Sequence, residues 1–180
     1  MSIRPVNKNL NGDEYYTPKY IVEILLPHLK NIKTIWCPCD TKDSEFVKVF
    51  QENGYKVLFS HIDNGEDFLL FEPKEQYDCI ITNPPFSIKN NILQRCIDLG
   101  KPFVLLLSAT CIQSASLIRI ISQCKNFNFI MFDKRISYSG DRPPFPSWYF
   151  TENILDKNKF YIYKEDPKKL FSDWKINKIN

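Results

Sequence analysis

Short apolar runs alternate with amphipathic segments along most of the chain, from residue 17 to residue 150. The apolar runs have the length and the β-branched and aromatic content of buried strands, whereas the segments between them carry apolar residues at helical spacing. This alternation predicts an α/β fold, in which a mostly parallel sheet is covered by helices. Seven strands are predicted, at residues 33–36, 55–60, 77–82, 103–107, 127–132, 147–151 and 160–164.

Capping residues set the predicted helix boundaries. Thr17 followed by Pro18 is typical of a helix start, and Pro27 should kink or end that helix. Residues 44–53 form the second predicted helix, and a third begins after Ser87 and ends at Gly100. The fourth covers residues 115–124, and residues 64–74 are predicted to be a loop or a short strand.

Length and composition indicate one domain. A chain of 180 residues with 43% hydrophobic residues can bury a core, and we expect residues 167–180 to form a basic, peripheral tail. The net charge of +3 decides little between nucleic acid and small molecules, because a local basic patch matters more than the total.

The six cysteines do not require a disulfide framework in a chain with this much core. Cys37 and Cys39 are not accompanied by a second metal-binding pair, so we predict buried thiols and no metal. The first residues lack a signal-peptide pattern and no apolar run approaches bilayer length, which predicts a reduced, cytoplasmic protein without membrane contact.

Asn83-Pro84-Pro85-Phe86 directly follows the predicted buried strand at residues 77–82. An amino group on an aromatic ring is a poor nucleophile, and acceptors such as a side-chain amide oxygen and a backbone carbonyl can hold it closer to tetrahedral geometry. The prolines stiffen the turn, and Phe86 offers a face for stacking. The simpler interpretation is a proline turn that ends a strand, but its place at the carboxyl end of that strand favours a binding site.

The segment 77–86 resembles the catalytic motif of the S-adenosylmethionine-dependent N6-adenine methyltransferases, and residues 13–18 resemble a segment of the small phage-type members. The resemblance covers about residues 13–150. It implies a Rossmann-like class I methyltransferase fold with a mostly parallel seven-stranded sheet and helices on both faces. It also implies S-adenosylmethionine as cofactor, with Tyr16 and Thr17 at its methionine end and Asp67 and Phe68 at its adenine.

Two loops depart from the family pattern. After the first strand the family has an acidic residue and glycines, whereas this chain has Cys37-Pro38-Cys39-Asp40-Thr41-Lys42-Asp43. Cys37, Pro38 and Asp40 therefore take the cofactor positions, with Asp40 as a replacement for the lost charge. At the end of the second strand, His61 stands where an acid usually binds the ribose, and Asp63 is the alternative.

The resemblance implies in-line methyl transfer to adenine N6 in nucleic acid, DNA in preference to RNA. In this reaction, Asn83 and Pro84 would orient the amine and Phe86 would clamp the target base. Phe145 or Trp148 would stack on the same base. Basic residues next to the proposed pocket would contact phosphates; they are Lys89, Lys134, Arg135 and Arg142. Two alternatives remain open at this point: a protein glutamine methyltransferase, and a catalytically silent binding module of the same fold.

Overall fold

A computed structural model describes residues 16–138 and 145–161 of the chain. Its seven strands are β1 (Thr34–Pro38), β2 (Lys56–Ser60), β3 (Cys79–Thr82), β4 (Phe103–Ser108), β5 (Phe127–Phe132), β6 (Ser147–Glu152) and β7 (Lys159–Tyr161). Its α-helices are α1 (Lys19–Glu23), α2 (Glu45–Glu52), α3 (Lys89–Leu99) and α4 (Ala115–Ile121). Short 3-10 turns cover Leu26–His28, Ile62–Asn64, Phe86–Ile88 and Ala109–Gln113.

The strands form one sheet in the order β2-β1-β3-β4-β6-β5-β7. Only β6 runs antiparallel to its neighbours, β4 and β5. The carboxyl ends of β1, β2, β3 and β4 therefore lie along one side of the sheet, which we call the carboxyl edge. Because β2 and β3 flank β1 on opposite sides, the chain reverses direction across the sheet at β1, and ligands bind at such switch points in open α/β sheets.

Each face of the sheet carries its own core cluster. Side chains alternate along a strand, so Ile35 and Cys37 of β1 join the cluster under α1 and α2, whereas Trp36 joins the cluster under α3 and α4. The predicted α/β class, with a mostly parallel sheet and helices on both faces, is confirmed.

Helix starts differ from the predicted ones in two places. Helix α1 begins at Lys19 with Pro18 in the cap position, and Thr17 does not cap it. Ser87 lies inside the 3-10 turn before α3 rather than at a cap, because the two prolines before it impose a tight turn first. Ser44 and Gly100 do bound helices as predicted: Ser44 Oγ accepts from the Phe46 amide at 3.1 Å, and Gly100 ends α3 with φ 64°.

All six cysteines lie in the described part of the chain and are free thiols. The described cysteines, histidines and acidic residues form no cluster of three or more that could hold a metal ion. In residues 16–138 and 145–161, no helix combines the length and apolar character that a membrane crossing needs. The predicted basic tail lies outside the described residues.

Candidate cofactor and substrate site

A cavity of about 470 Å³ opens at the carboxyl edge where β1, β2 and β3 end. The segments that follow these strands line it: Cys39 to Ser44 after β1, His61 to Asp63 after β2, and Asn83 with Pro85 after β3. Its volume falls within the range of small-molecule sites.

The cavity brings together most of the residues predicted to bind cofactor. Tyr16 and Thr17 approach it from the segment before α1, and Asp67 and Phe68 from the loop after β2. The predicted residues that line it are Tyr16, Thr17, Asp40, His61, Asp63, Asp67, Phe68, Asn83 and Pro85.

Cys37 and Pro38 are not among the lining residues. Strand alternation turns the Cys37 side chain into the core under α2, where burial raises its thiol pKa well above the ordinary value. Pro38 is buried at the end of β1, and its carbonyl accepts a hydrogen bond from Thr82. The loop therefore meets the cavity through Cys39 and Asp40, which corrects the position predicted for direct cofactor contact.

The loop after β1 turns tightly without glycine. Cys39 has φ 71°, in the left-handed region that glycine adopts most easily. The next residue, Asp40, donates its backbone amide to the Ser60 carbonyl at 3.1 Å, which holds the loop against the end of β2. A chain without the glycines of the family pattern thus still makes an open loop at this edge.

Asp40 is a buried carboxyl held from two sides. Ser44 Oγ donates to Asp40 Oδ1 at 2.6 Å, and Thr82 Oγ1 donates to Asp40 Oδ2 at 2.6 Å. Burial raises the pKa of Asp40 to about 6, although both hydrogen bonds act to lower it. No local pattern of residues predicts this arrangement, because Thr82 is 42 residues from Asp40 in the chain.

His61 is fixed by the backbone beside the cavity. Its Nδ1 accepts from the Asp63 amide at 3.2 Å, and the Asp63 carboxylate lies 3.4 Å from the same nitrogen. The hydrogen bond from the Asp63 amide fixes the orientation of the imidazole ring beside the cavity.

Phe68 and Asp67 line the cavity on the side predicted for the cofactor adenine. Phe68 is buried and packs edge-on against Trp36, with 5.1 Å between the ring centroids. Asp67 Oδ1 accepts from the Leu69 amide at 2.9 Å, which fixes the turn that presents both residues. Their assignment to the adenine remains a prediction.

The proline corner, residues 83–86, continues directly from β3. Asn83 Nδ2 donates to Thr17 Oγ1 at 3.2 Å, which links the corner to the segment before α1. Pro84 is buried, and Asn83 and Pro85 line the cavity. The Phe86 and Phe145 rings meet edge-to-face at 5.2 Å.

The described residues that were predicted to contact substrate do not line the cavity; they are Lys89, Arg135, Phe145 and Trp148. Lys89 Nζ donates to the Phe86 carbonyl at 3.3 Å, and Arg135 is exposed. Trp148 is half-buried and packs on Phe129 within the sheet, with 6.0 Å between the ring centroids, whereas Phe145 contacts Phe86. Arg142 lies outside the described residues.

The charge of the cavity lining was not predicted. Six carboxyl groups line it, and no Lys or Arg does so in the described part of the chain. The six are Asp40, Asp43, Glu45, Asp63, Glu66 and Asp67. Such a lining suits a cationic ligand and disfavours one that carries phosphates.

We expect Asp40→Asn to remove a pH dependence of stability. The Asp40 pKa of about 6 is above the ordinary value of 3.8. The contribution of Asp40 to the free energy of unfolding is therefore most favourable at low pH, and it is lost as the pH rises through about 6. At pH 8 the variant should be more stable than the parent chain, by about 1–3 kcal/mol. Urea unfolding between about pH 4 and pH 8 measures the difference.

Asp78→Asn is the matched control with the opposite sign. Its carboxylate accepts from the Thr34 and Lys33 amides at 2.8 and 2.7 Å, which lowers its pKa. This variant should be less stable than the parent at every pH above about 4, by an amount that stays constant up to about pH 8. If the stability of both variants relative to the parent changed with pH in the same way, the charge assignment at Asp40 would be disproved.

No protein-family model matches the chain, and no curated protein matches it in sequence. Among solved structures, a candidate class I S-adenosylmethionine-dependent methyltransferase from Listeria monocytogenes is 12% identical, with 89% of this chain and 70% of that chain covered and a TM-score of 0.52. A candidate RNA methyltransferase from Pyrococcus horikoshii is 16% identical, with coverage of 83% and 90% and a TM-score of 0.47. The likeness to the Listeria monocytogenes structure, at 12% identity, shows the fold alone, and this fold agrees with the predicted class I methyltransferase architecture.

Proposed function

We propose that the chain transfers a methyl group from S-adenosylmethionine to the N6 amino group of an adenine in nucleic acid. One observation carries the proposal: the acidic loops after β1 and β2 and the proline corner after β3 line the same cavity. A cofactor and an amino group held by the corner would therefore meet in one place.

The lining fits this cofactor by charge. S-adenosylmethionine carries a sulfonium, an ammonium and one carboxylate, so its net charge near neutral pH is about +1. The described cavity lining has six carboxyl groups and no Lys or Arg, so it complements this positive charge. The phosphates of a dinucleotide would be repelled by the same carboxylates. In the proposal, Asp40 and Thr17 hold the methionine end of the cofactor. Asp63 or His61 binds the ribose hydroxyls. Asp67 and Phe68 contact the adenine.

When bound, S-adenosylmethionine supplies a methyl group on a sulfonium, which is already a good leaving group. The corner then has to orient the acceptor amine rather than activate it with a strong base. Asn83 Oδ1 and the Pro84 carbonyl accept the two amino hydrogens, and the rigid prolines keep these acceptors in place. The hydrogen bond from Asn83 Nδ2 to Thr17 restricts the orientation of the carboxamide.

Phe86, the last residue of the proline corner, forms an aromatic pair with Phe145. In the proposal the target base stacks on this pair. Lys89, Lys134, Arg135 and Arg142 would contact the nucleic acid backbone and make binding salt-dependent. A single-stranded or flipped adenine fits this arrangement, in DNA or in RNA.

We expect Phe86→Ala to raise the KM for an adenine-containing oligonucleotide by about 5- to 100-fold, because stacking on an aromatic side chain is worth about 1–3 kcal/mol per base. Affinity for S-adenosylmethionine should change little. Steady-state kinetics with a single-stranded oligonucleotide measure the effect. Phe160→Ala, at an aromatic residue that is 42% exposed on β7, is the control and should keep the parent KM.

Calorimetric titration tests the cofactor assignment. We expect S-adenosylmethionine to bind with one-to-one stoichiometry, and NAD and ATP not to compete. Binding should weaken as salt rises, because screening reduces the attraction between the acidic lining and the cation. Heat evolved by NAD but not by S-adenosylmethionine would contradict the proposal.

A further inference from the structure

Thr82 connects the two halves of the candidate site. It is fully buried at the last position of β3, directly before Asn83. Its hydroxyl lies within hydrogen-bond distance of the Pro38 carbonyl and of Asp40 Oδ2. One side chain thus joins the loop after β1 to the strand that carries the proline corner.

This hydroxyl can satisfy Asp40 in either protonation state. When Asp40 is charged, Thr82 donates to its Oδ2. When Asp40 is protonated, its O–H can donate to Thr82 Oγ1, and the Thr82 proton then goes to the Pro38 carbonyl. The hydroxyl thus keeps a hydrogen bond with Asp40 in both states, and valine at this position could not do the same.

Ser44 makes the other contact with Asp40, but it has a second task. Its Oγ also accepts from the Phe46 amide at the start of α2. Its removal would therefore disturb a helix cap together with Asp40, whereas removal of the Thr82 hydroxyl changes the loop contacts alone.

We infer that Thr82 is a positioning residue, whose hydroxyl holds Asp40 in the geometry and charge state that bind the cationic end of the cofactor beside Asn83. The inference rests on the proposed function, because it takes Asp40 as a cofactor contact. Two thiols, of Cys37 in the core and Cys39 in the cavity lining, interact electrostatically with Asp40. The other ionisable groups of the lining are Tyr16, Asp43, Glu45, His61, Asp63, Glu66 and Asp67.

The sign of the effect follows from the hydrogen bond. Thr82 stabilises the charged form of Asp40, so its loss raises the Asp40 pKa further above the present value of about 6. More of the carboxyl is then neutral near pH 7, and attraction for a cation falls. We expect Thr82→Val to weaken binding of S-adenosylmethionine by about tenfold at pH 7, the usual effect of one hydrogen bond to a charged group.

The experiment compares the parent chain with Thr82→Val, Thr82→Ser and Thr151→Val. Thr151 is also fully buried in a strand and donates to the Asn128 carbonyl at 3.0 Å, so Thr151→Val removes an equally buried hydrogen bond away from Asp40. Two quantities are measured from about pH 5 to pH 8: affinity for S-adenosylmethionine by calorimetry, and the titration of the Asp40 carboxyl carbon by NMR, assigned with Asp40→Asn.

We expect both midpoints to move to higher pH in Thr82→Val and to stay near the parent values in Thr82→Ser and Thr151→Val. Equal shifts in Thr82→Val and Thr151→Val, or an unchanged Asp40 titration in Thr82→Val, would overturn the positioning role. Absence of binding to the parent chain would instead overturn the proposed cofactor, and the NMR titration would still decide whether Thr82 controls Asp40.

Discussion

Replacement of Asn83 by alanine is expected to lower the rate of methyl transfer by about 10²- to 10³-fold, the range for loss of one preorganised hydrogen-bonding group at a reaction centre. The variant should keep its fold. Asn83 is half-buried directly after β3, outside the two core clusters, and its Nδ2 donates a hydrogen bond of 3.2 Å to Thr17.

The physical reason lies in the acceptor amine. Its lone pair is delocalised into the ring, and two acceptors are needed to hold both hydrogens out of the ring plane. Alanine leaves only the Pro84 carbonyl, so the nitrogen returns to planar geometry and loses nucleophilicity. Cofactor affinity should fall much less than turnover, because Asn83 contributes one residue to a lining made mainly by the loops after β1 and β2.

Single-turnover transfer of a labelled methyl group measures this effect, with circular dichroism as the check on folding. Asn90→Ala is the matched control, since Asn90 donates to Ser116 at 2.9 Å in an exposed position and does not line the cavity. Undiminished turnover in Asn83→Ala would remove the catalytic assignment from this corner.

Replacement of Trp36 by alanine should lower the free energy of unfolding by about 3–5 kcal/mol, the usual range for a large aromatic residue lost from a core. Trp36 has no exposed surface, and its ring lies 5.1 Å from both Phe68 and Tyr77. Its Nε1 donates to Ser60 Oγ at 3.1 Å, so the change also leaves a buried hydroxyl without that donor.

This substitution connects stability to the site. Phe68 lines the cavity with its ring edge-on to Trp36, so the missing indole allows Phe68 to withdraw into the void. We expect weaker binding of S-adenosylmethionine even under conditions where the variant is folded. Urea unfolding followed by calorimetry separates the two effects, and Leu70→Ala, at a residue that is 86% exposed, is the control. A loss of stability below about 1 kcal/mol would contradict the packing described here.

The alternation of apolar runs and amphipathic segments was sufficient to predict the layers of the fold. Each of the seven strands lies within two residues of its predicted start, because buried strands need the uninterrupted apolar composition seen at β3 and β4. Helix starts were less predictable. Thr17 and Ser87 are good cap residues by type, but prolines beside them decide the local backbone.

The candidate site was predictable where a motif is local. Asn83 and Pro85 follow a buried strand, and strand ends meet at one edge of a parallel sheet. Cys37 was predicted to contact the cofactor, but side chains alternate along β1, and its thiol lies in the core and not in the cavity lining. The contacts of Thr82 and Ser44 with Asp40 depend on tertiary packing, and no pattern of neighbouring residues marks them.

Transfer of a labelled methyl group from S-adenosylmethionine to DNA, tRNA and protein, followed by mass spectrometry of the modified product, decides whether the chain is an adenine methyltransferase. We expect N6-methyladenine from a nucleic acid substrate, formed about 10²- to 10³-fold more slowly by Asn83→Ala. Label on a protein glutamine, or cofactor binding without transfer to any of the three substrates, would contradict this expectation.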